Sequence, residues 1–330
     1  MEEAPDEFQV IAELFAPLAR GFPGALGLKD DAALLPEAPG TDLVLTADAM
    51  VAGVHFLPDD PPDLVARKLL RVNLSDLAAK GARPVAALLT AAFPLGTTLD
   101  WLRRFAAGLG EDLERYSLPL IGGDTVATPG PLTLSLTALG RVPAGGALLR
   151  GAARVGDTIW VSGTIGDGTL GLEAARGGLA GMDPSDIAWL ASRYRLPEPR
   201  VTVGPQLAGL AHAAMDVSDG LVQDLGHICR ASGIGAVVEA ARVPLSPAAR
   251  AALAAGRSQL ASLLTGGDDY ELLFTAPPDA AAALAGLTAA GVALTAIGRM
   301  VRGTGVEVVG PDGGTLRLAR TGWRHFAAPG

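Results

Sequence analysis

Arg71-Val72-Asn73-Leu74-Ser75-Asp76-Leu77-Ala78-Ala79-Lys80-Gly81 closes a segment, begun near Asp63, that has the spacing of one amphipathic helix. Leu70, Leu74 and Leu77 recur at i, i+4 and i+7, the interval of a buried stripe. Asn73, Asp76 and Lys80 fall three and four residues apart on another face. Asp59, Asp60, Pro61 and Pro62 are start signals, and Gly81 and then Pro84 stop the helix. A carboxylate among small and apolar neighbours is costly to bury unless a cation meets it. Alone, Asp76 reads as a surface residue. It is not alone: a strand, then Gly or Ser, then Asp recurs at Asp30/Asp31, Asp48, Asp124, Asp216/Asp219 and Asp268/Asp269.

Working outward, 330 residues exceed one average domain, so two are expected. Hydrophobic residues make up 49% but aromatic ones only 5%, which suits an α/β or α+β protein with close helix-on-sheet packing. A formal charge of −9 argues against a nucleic-acid partner, because phosphate backbones call for surplus Lys and Arg. The single cysteine, Cys229, excludes an intrachain disulfide and fits a reducing compartment. The acidic start (Glu2, Glu3, Asp6, Glu7) is the opposite of a signal peptide, and no apolar run approaches the roughly 20 residues that span a bilayer. A soluble, cytoplasmic protein with no membrane partner is expected.

Along the chain, residues 7–20 read as a helix carrying Phe8, Ile11, Leu14, Phe15 and Leu18. Asp30-Asp31 leads into an expected strand over 32–35. Leu43 to Asp48 is a strand ending in an acid, Val85 to Phe93 a buried strand, and 98–116 a second helix. Leu118–Ile121 is a strand ending at Gly122-Gly123-Asp124-Thr125, and Leu132–Leu139 another. Pro143, Gly145, Gly146 and Gly151 mark a boundary, giving domains 1–145 and 146–330. Beyond it come a strand from Asp157 to Ser162, a helix to about Arg176, and loop with short helix over 177–205. Asp216-Val217-Ser218-Asp219-Gly220 then opens a helix to Ser232. A strand at Val237-Val238, a helix over 248–255, and Gly266 to Glu271 entering a strand follow. A helix over 279–290, a strand over 292–298 and a Gly-rich hairpin over 303–318 precede a tail with Trp323 and Phe326.

Asp is a common turn and cap residue, and for Asp167 and Asp219 capping is the first reading. Recurrence shifts the balance. Hard divalent cations take oxygen ligands, and Mg²⁺ is held by a few carboxylates plus substrate phosphates. His55, His212, His227 and His325 have no Ser or Cys paired tightly in sequence, and no His–Cys zinc pattern occurs. Acids and glycines without a base point to phosphoryl transfer, which needs charge neutralisation more than deprotonation. The ordinary P-loop is absent. Gly163-Thr164-Ile165-Gly166-Asp167-Gly168 is either a phosphate cradle or a simple tight turn.

Taken together, six segments resemble the thiamine-monophosphate kinases, a family of the aminoimidazole ribonucleotide synthetase superfamily. They are Lys29–Ala33, Thr46–Asp48 with Gly53–Phe56, Asn73–Ala79, Gly122–Thr125, Asp216–Leu221 and Gly267–Leu272. The resemblance implies two α/β (α+β) domains: an N-terminal sheet domain that binds ATP and metal and forms a homodimer, and a C-terminal α/β domain that completes the active site. It implies transfer of the γ-phosphoryl of ATP to thiamine monophosphate, giving thiamine diphosphate, with several Mg²⁺ ions. It makes Asp31, Thr46, Ala47, Asp48, Asp76, Asp124, Asp216 and Asp219 metal ligands, with Asp48, Asp76 and Asp124 central to catalysis. Gly123, Asp124, Arg150 and Ser218 would contact the nucleotide, and His55, Asp268 and Trp323 the thiamine phosphate. Three positions depart from the family pattern: Lys29 for Gly, Asp268 for Glu, and Ala106 where a Tyr often meets adenine. Relatives that use a reactive cysteine fit poorly, since Cys229 lies mid-helix. Aminoimidazole ribonucleotide synthetase itself is the stronger enzyme rival, and a non-catalytic sensor has little use for so many acids.

Overall fold

Thr46 and Asp48 of the first strand make hydrogen bonds to Asp76 and Asn73 of the helix just described, and this strand-to-helix seam sets the layout of the N-terminal half. The computed structural model describes residues 7–287 and 291–323. The chain divides into two compact units, Met1–Leu77 with Ala82–Gly145, and Ala78–Gly81 with Gly146–Gly330.

In the first unit a four-stranded sheet has the order β1-β4-β2-β3, built from β1 (Thr41–Val51), β2 (Arg83–Pro94), β3 (Leu120–Thr128) and β4 (Thr133–Pro143). β4 runs antiparallel to β1 and β2, while β2 and β3 are parallel. α2 (Pro62–Ala79) and α3 (Leu99–Arg115) are linked by a buried ion pair, Arg71 to Asp112, through bonds of 2.6 and 3.1 Å. Leu70, Leu74 and Leu77 of α2 are fully buried, as their spacing requires. The opposite face of the sheet is open along β1, where Leu43 and Leu45 are exposed.

Two expectations fail here. The helix over 7–20 breaks into α1 (Glu7–Val10), a π-helical turn (Ile11–Phe15) and a 3₁₀ turn (Ala16–Ala19), because Pro17 has no N–H with which to continue an α-helical ladder. No strand forms over 32–35; Leu34 instead donates its N–H to Gly24 O, and Ala33 and Leu35 pack on a small core with Ala25 and Ile121. In the other direction, β3 runs on through Gly122-Gly123 to Thr128. Gly123 permits this, with φ +154° and no room for a side chain: a Cβ there would lie 1.8 Å from Leu89 O.

The second unit holds a six-stranded sheet in the order β10-β7-β9-β5-β8-β6. Its strands are β5 (Thr158–Ser162), β6 (Ala213–Asp216), β7 (Gly235–Glu239), β8 (Leu272–Ala276), β9 (Leu294–Val301) and β10 (Val306–Val309). Its helices are α4 (Asp167–Ala175), α5 (Pro184–Arg195), α6 (Leu221–Ser232), α7 (Pro247–Ala254), α8 (Leu260–Thr265) and α9 (Ala281–Leu287). Alternation along β5 feeds two cores: Ile159 and Val161 pack with Leu225 and Ile228 of α6, and Trp160 packs with Phe274 and Leu284. The expected hairpin over 303–318 forms in its second half, where Val309 bridges Thr315 antiparallel and Leu316 N–H donates to Val308 O across a turn at Gly310–Gly314. Its first half is a crossover: β7 lies between β9 and β10, and β10 pairs parallel with β7. α5 forms where mostly loop was expected, capped by Asp183 ahead of Pro184. The helix expected over 279–290 is α9, its last three residues lying outside the described ones, as do His325 and Phe326. No helix among the described residues is long and apolar enough to cross a membrane.

Candidate active site

Two carboxylates meet at the β1–α2 seam. Asp76 Oδ2 accepts from Thr46 Oγ1 at 2.5 Å, and the Asp48 N–H donates to Asn73 Oδ1 at 3.1 Å. Asn73 is held in turn by its Nδ2 bond to Leu69 O at 2.9 Å. Burial, and then the charge of Asp76, push the Asp48 carboxyl up to about 6. Neither acid draws an ion-pair partner from the described residues; the charge that faces Asp48 is another negative one. Ala47, between the two β1 oxygens, points to the open face.

Asp124 lies elsewhere in this unit. Strand register aligns it with Thr90, Ser135 and Ala49, one residue out of phase with Asp48, so the two carboxylates leave opposite faces of the sheet. On the open side, Gly123 and Asp124 line a cavity of about 710 Å³ with Asp30 and Asp31, walled by Phe15, Leu28 and Leu88. Asp31 donates its N–H to Asp30 Oδ1 in a tight local turn. The first unit therefore carries two acidic loci, Asp48/Asp76 and Asp30/Asp31/Asp124. Among the described residues, no three His, Cys, Asp or Glu side chains converge as a metal cage. A pair is enough for magnesium, which keeps several waters and takes one or two protein carboxylates. The oxygen-only donors Thr46, Asp48 and Asp76 fit it.

His55 sits in the turn after β1. Its Nδ1 accepts from Val51 N–H at 3.0 Å, and Lys68 Nζ holds its carbonyl at 3.0 Å. Neutral imidazole that accepts at Nδ1 carries its proton on Nε2 and can donate from there. That is the tautomer for touching an anion and the wrong one for a general base.

In the second unit, three loops at one end of the sheet are tied together. Asp216, almost fully buried, ends β6; Val217 to Gly220 follow and α6 begins. Asp224 Oδ2, on the first turn of α6, accepts from Ser218, Asp219 and Gly220 N–H at 3.1, 3.0 and 3.0 Å. Asp268 N–H donates to Ser218 O, and Tyr270 N–H to Val217 O. Asp268 and Tyr270 both have positive φ, +67° and +51°, rare for side-chain-bearing residues, so the loop holding Asp268 is shaped against local preference. Gly267 has no space for more: a Cβ would lie 2.3 Å from Ser218 O. Arg150 stands at the far end of α6, where its carbonyl accepts from Ser232 Oγ, and burial together with Arg230 and Arg150 depresses the His227 pKa. Trp323 is half-exposed, its N–H donating to Asp219 O.

The Gly163–Gly168 loop is a cradle already filled. Gly166 and Gly168 N–H donate to the Asp269 carboxylate at 2.8 and 2.9 Å, an internal anion in the place a phosphate would need. Asp167 makes no cap; it accepts from Ser246 Oγ at 2.6 Å and from Thr164 Oγ1.

Comparison with known proteins decides the family. Residues 29–142 match the model of the AIR synthase related protein N-terminal domain and residues 154–311 that of its C-terminal domain. The chain is 49% identical to a thiamine-monophosphate kinase of Caulobacter vibrioides over 97% of this chain and 91% of that protein. The chain belongs to the thiamine-monophosphate kinase family. A crystal structure of thiamine-monophosphate kinase from Stenotrophomonas maltophilia is similar at TM-score 0.80 and 44% identity, covering 87% of this chain and 90% of that one. A solved complex of AaThiL with AMPPCP and TMP is similar at TM-score 0.77 and 32% identity, covering 88% and 89%.

Three further residues, none of them marked by the recurring Asp pattern, hold these loops in place. Asp224 is legible in hindsight, as an acid one turn inside a helix that follows a loop of unpaired N–H groups. Glu271 lies in the Gly267–Leu272 segment. It is completely buried and accepts from Ser162 Oγ, from Arg193 Nη2 at 3.1 Å and from Arg200 Nε at 2.6 Å and Nη2. Its partners lie far upstream, and nothing local announces them. Gln223 bonds both Asp219 and Trp323.

Proposed function

We propose that this chain transfers the γ-phosphoryl group of ATP to thiamine monophosphate, giving thiamine diphosphate, by direct attack of the acceptor phosphate with magnesium bound. The observation that carries the reading is the Asp48–Asp76 pair, two partly buried acids brought together on a strand–helix seam with no arginine or lysine ion-paired to either among the described residues. Family membership at 49% identity over nearly the whole chain supplies the substrate pair. Asp31, Thr46, Ala47, Asp48, Asp76, Asp124, Asp216 and Asp219 are the proposed magnesium ligands; when bound, magnesium supplies the positive charge that lets two anionic phosphates approach. Gly123, Asp124, Arg150 and Ser218 are assigned to ATP, and His55, Asp268 and Trp323 to the thiamine phosphate. Residues 1–145 are assigned ATP and metal binding and dimerisation, and 146–330 the remaining ligands.

The acceptor phosphate loses its second proton near pH 6, at roughly the pKa of a phosphate ester. It is therefore its own nucleophile at neutral pH, and no residue must deprotonate it. His55, protonated on Nε2, is suited to donate a hydrogen bond to a phosphate oxygen, and its Nδ1 is already engaged by Val51. Gly123 is exposed and lines the cavity beside Asp124, where its backbone is accessible. The remaining work is alignment and charge compensation.

The open sheet face of the first unit supports a homodimer, since Leu45 is 61% and Val126 50% exposed on it. Leu45→Glu is expected to shift the solution mass from dimer to monomer. A reducing, cytoplasmic location fits the buried Cys229, whose thiol burial pushes up to about 11. The deciding experiment is incubation with Mg-ATP and a panel of phosphorylated acceptors, followed by identification of the product. Thiamine diphosphate is expected; transfer only to another acceptor, or none at all, overturns the reading.

A further inference from the structure

We propose that Gln223 is a positioning residue that clasps the Trp323 segment to the Asp219 loop and so sets the affinity for thiamine monophosphate. This rests on the assignment of Trp323 to that substrate. Gln223 occupies the first turn of α6. Its Nε2 donates to Trp323 O at 2.6 Å and to Asp219 Oδ2 at 3.1 Å, which engages both hydrogens of one amide. The Trp323 N–H donates to Asp219 O at 3.0 Å, so both backbone polar groups of Trp323 are bonded to this corner. Gly322 lets the segment lie flat: a Cβ there would stand 2.4 Å from Gln223 Cβ and 2.8 Å from Asp219 O.

Among the described residues the last strand, β10, ends at Val309, and beyond a single bridge from Val309 to Thr315 irregular chain leads to Trp323. Leu316 and Leu318 anchor that chain to the core. Beyond them, the bonds at Asp219 and Gln223 set where the half-exposed indole stands. An aromatic wall fixed before the substrate arrives costs less ordering on binding than one that must be collected from solution. Glutamine is suited to the task. Glutamate would have no hydrogen to donate and would set a negative charge beside Asp219, and asparagine is a methylene too short.

Gln223→Met keeps length and volume but removes the donors, and Gly322→Ala pushes the segment away without touching the Asp219 carboxylate. Each is expected to raise KM for thiamine monophosphate roughly tenfold, the worth of one or two net hydrogen bonds. Turnover, KM for ATP, magnesium requirement and melting temperature should stay near wild type. In the Trp323→Ala background, Gln223→Met should add nothing. If Trp323→Ala raises KM and neither Gln223→Met nor Gly322→Ala does, the clasp is wrong while the Trp323 assignment stands. If Gln223→Met alters the ATP or magnesium dependence as much, Gln223 acts through Asp219 and the clasp is also wrong. If Trp323→Ala leaves KM unchanged, the substrate assignment fails and the clasp falls with it.

Discussion

Glu271 and Asp48 are both acids withdrawn from water, the first fully and the second in part, within segments that resemble the kinase family, and they are treated oppositely. Glu271 is met by two arginines and a serine hydroxyl, with every oxygen bonded. Asp48 is met by Asp76. A fold has no reason of its own to bring two carboxylates together, because the desolvation of each is then made worse by the other. Where charge is compensated from within, the acid holds structure; where it is compounded, the compensation has to come from something bound. Asp112 with Arg67 and Arg71 belongs to the first kind. Asp224 and Asp269 form a third kind that shapes loops: each also lies near another acid, Asp219 and Asp167, but its carboxylate accepts backbone N–H groups of its own loop, an internal compensation that Asp48 lacks.

The sharpest break would come at Asp76. Asp76→Asn is expected to lower transfer a thousandfold or more, about 4 kcal/mol in barrier. The ligand-free melting temperature should be unchanged or higher, since one of two adjacent negative charges is gone. Activity within about tenfold of wild type, or ~1.4 kcal/mol, would make Asp76 an ordinary helix residue and dissolve the contrast.

Glu271→Ala should do the reverse, losing fold first. It leaves Arg193 and Arg200 facing a hole, and removal of one partner from a buried ion pair costs about 3–5 kcal/mol. Urea denaturation measures this; a midpoint like wild type would show that the arginines find water as readily as they found Glu271.

His55→Asn comes next. KM for thiamine monophosphate is expected to rise about tenfold, or ~1.4 kcal/mol, with a smaller drop in turnover. The rate should climb through roughly pH 6 as the acceptor phosphate ionises, with no limb removed by the mutation. A thousandfold loss of turnover at unchanged KM would make His55 the base that its Nδ1 bond to Val51 argues against.

What could be read in the sequence follows from range. α2 was legible in full because its stripe, its start and its stop lie within twenty residues or so of one another, as did the strands with clean apolar runs. The broken helix at Pro17 was marked in the sequence by the proline itself. The crossover to β10 was not, because a Gly-rich stretch between strands looks the same whether the next strand pairs with its neighbour or goes one further. The candidate acids were visible as a recurring pattern, but their kinds were not. Whether an acid meets Arg200, a backbone N–H or another Asp depends on contacts tens of residues away, and Glu271 and Asp269, two residues apart, fall into different kinds.

The finest test separates the loop-shaping acids from the rest, by a slope in place of a step. Asp269 is fully buried, and burial outweighs its two N–H bonds to hold its pKa well above the ordinary Asp value, with Asp167 adding to the rise. Between the unfolded value, about 3.9, and that higher folded value, the native state binds more protons than the unfolded chain. Stability due to this group therefore falls as pH rises through the window and is unaffected below it. Asp269→Asn cannot ionise, so it pays a fixed cost for the altered bonds to Gly166 and Gly168 but lacks the slope. Urea unfolding of both proteins from pH 4 to pH 8 should show the difference moving steadily in favour of the variant. Parallel curves would mean that Asp269 ionises as easily inside the fold as outside it, and the cradle of N–H groups would then be compensating its charge as fully as the arginines compensate Glu271.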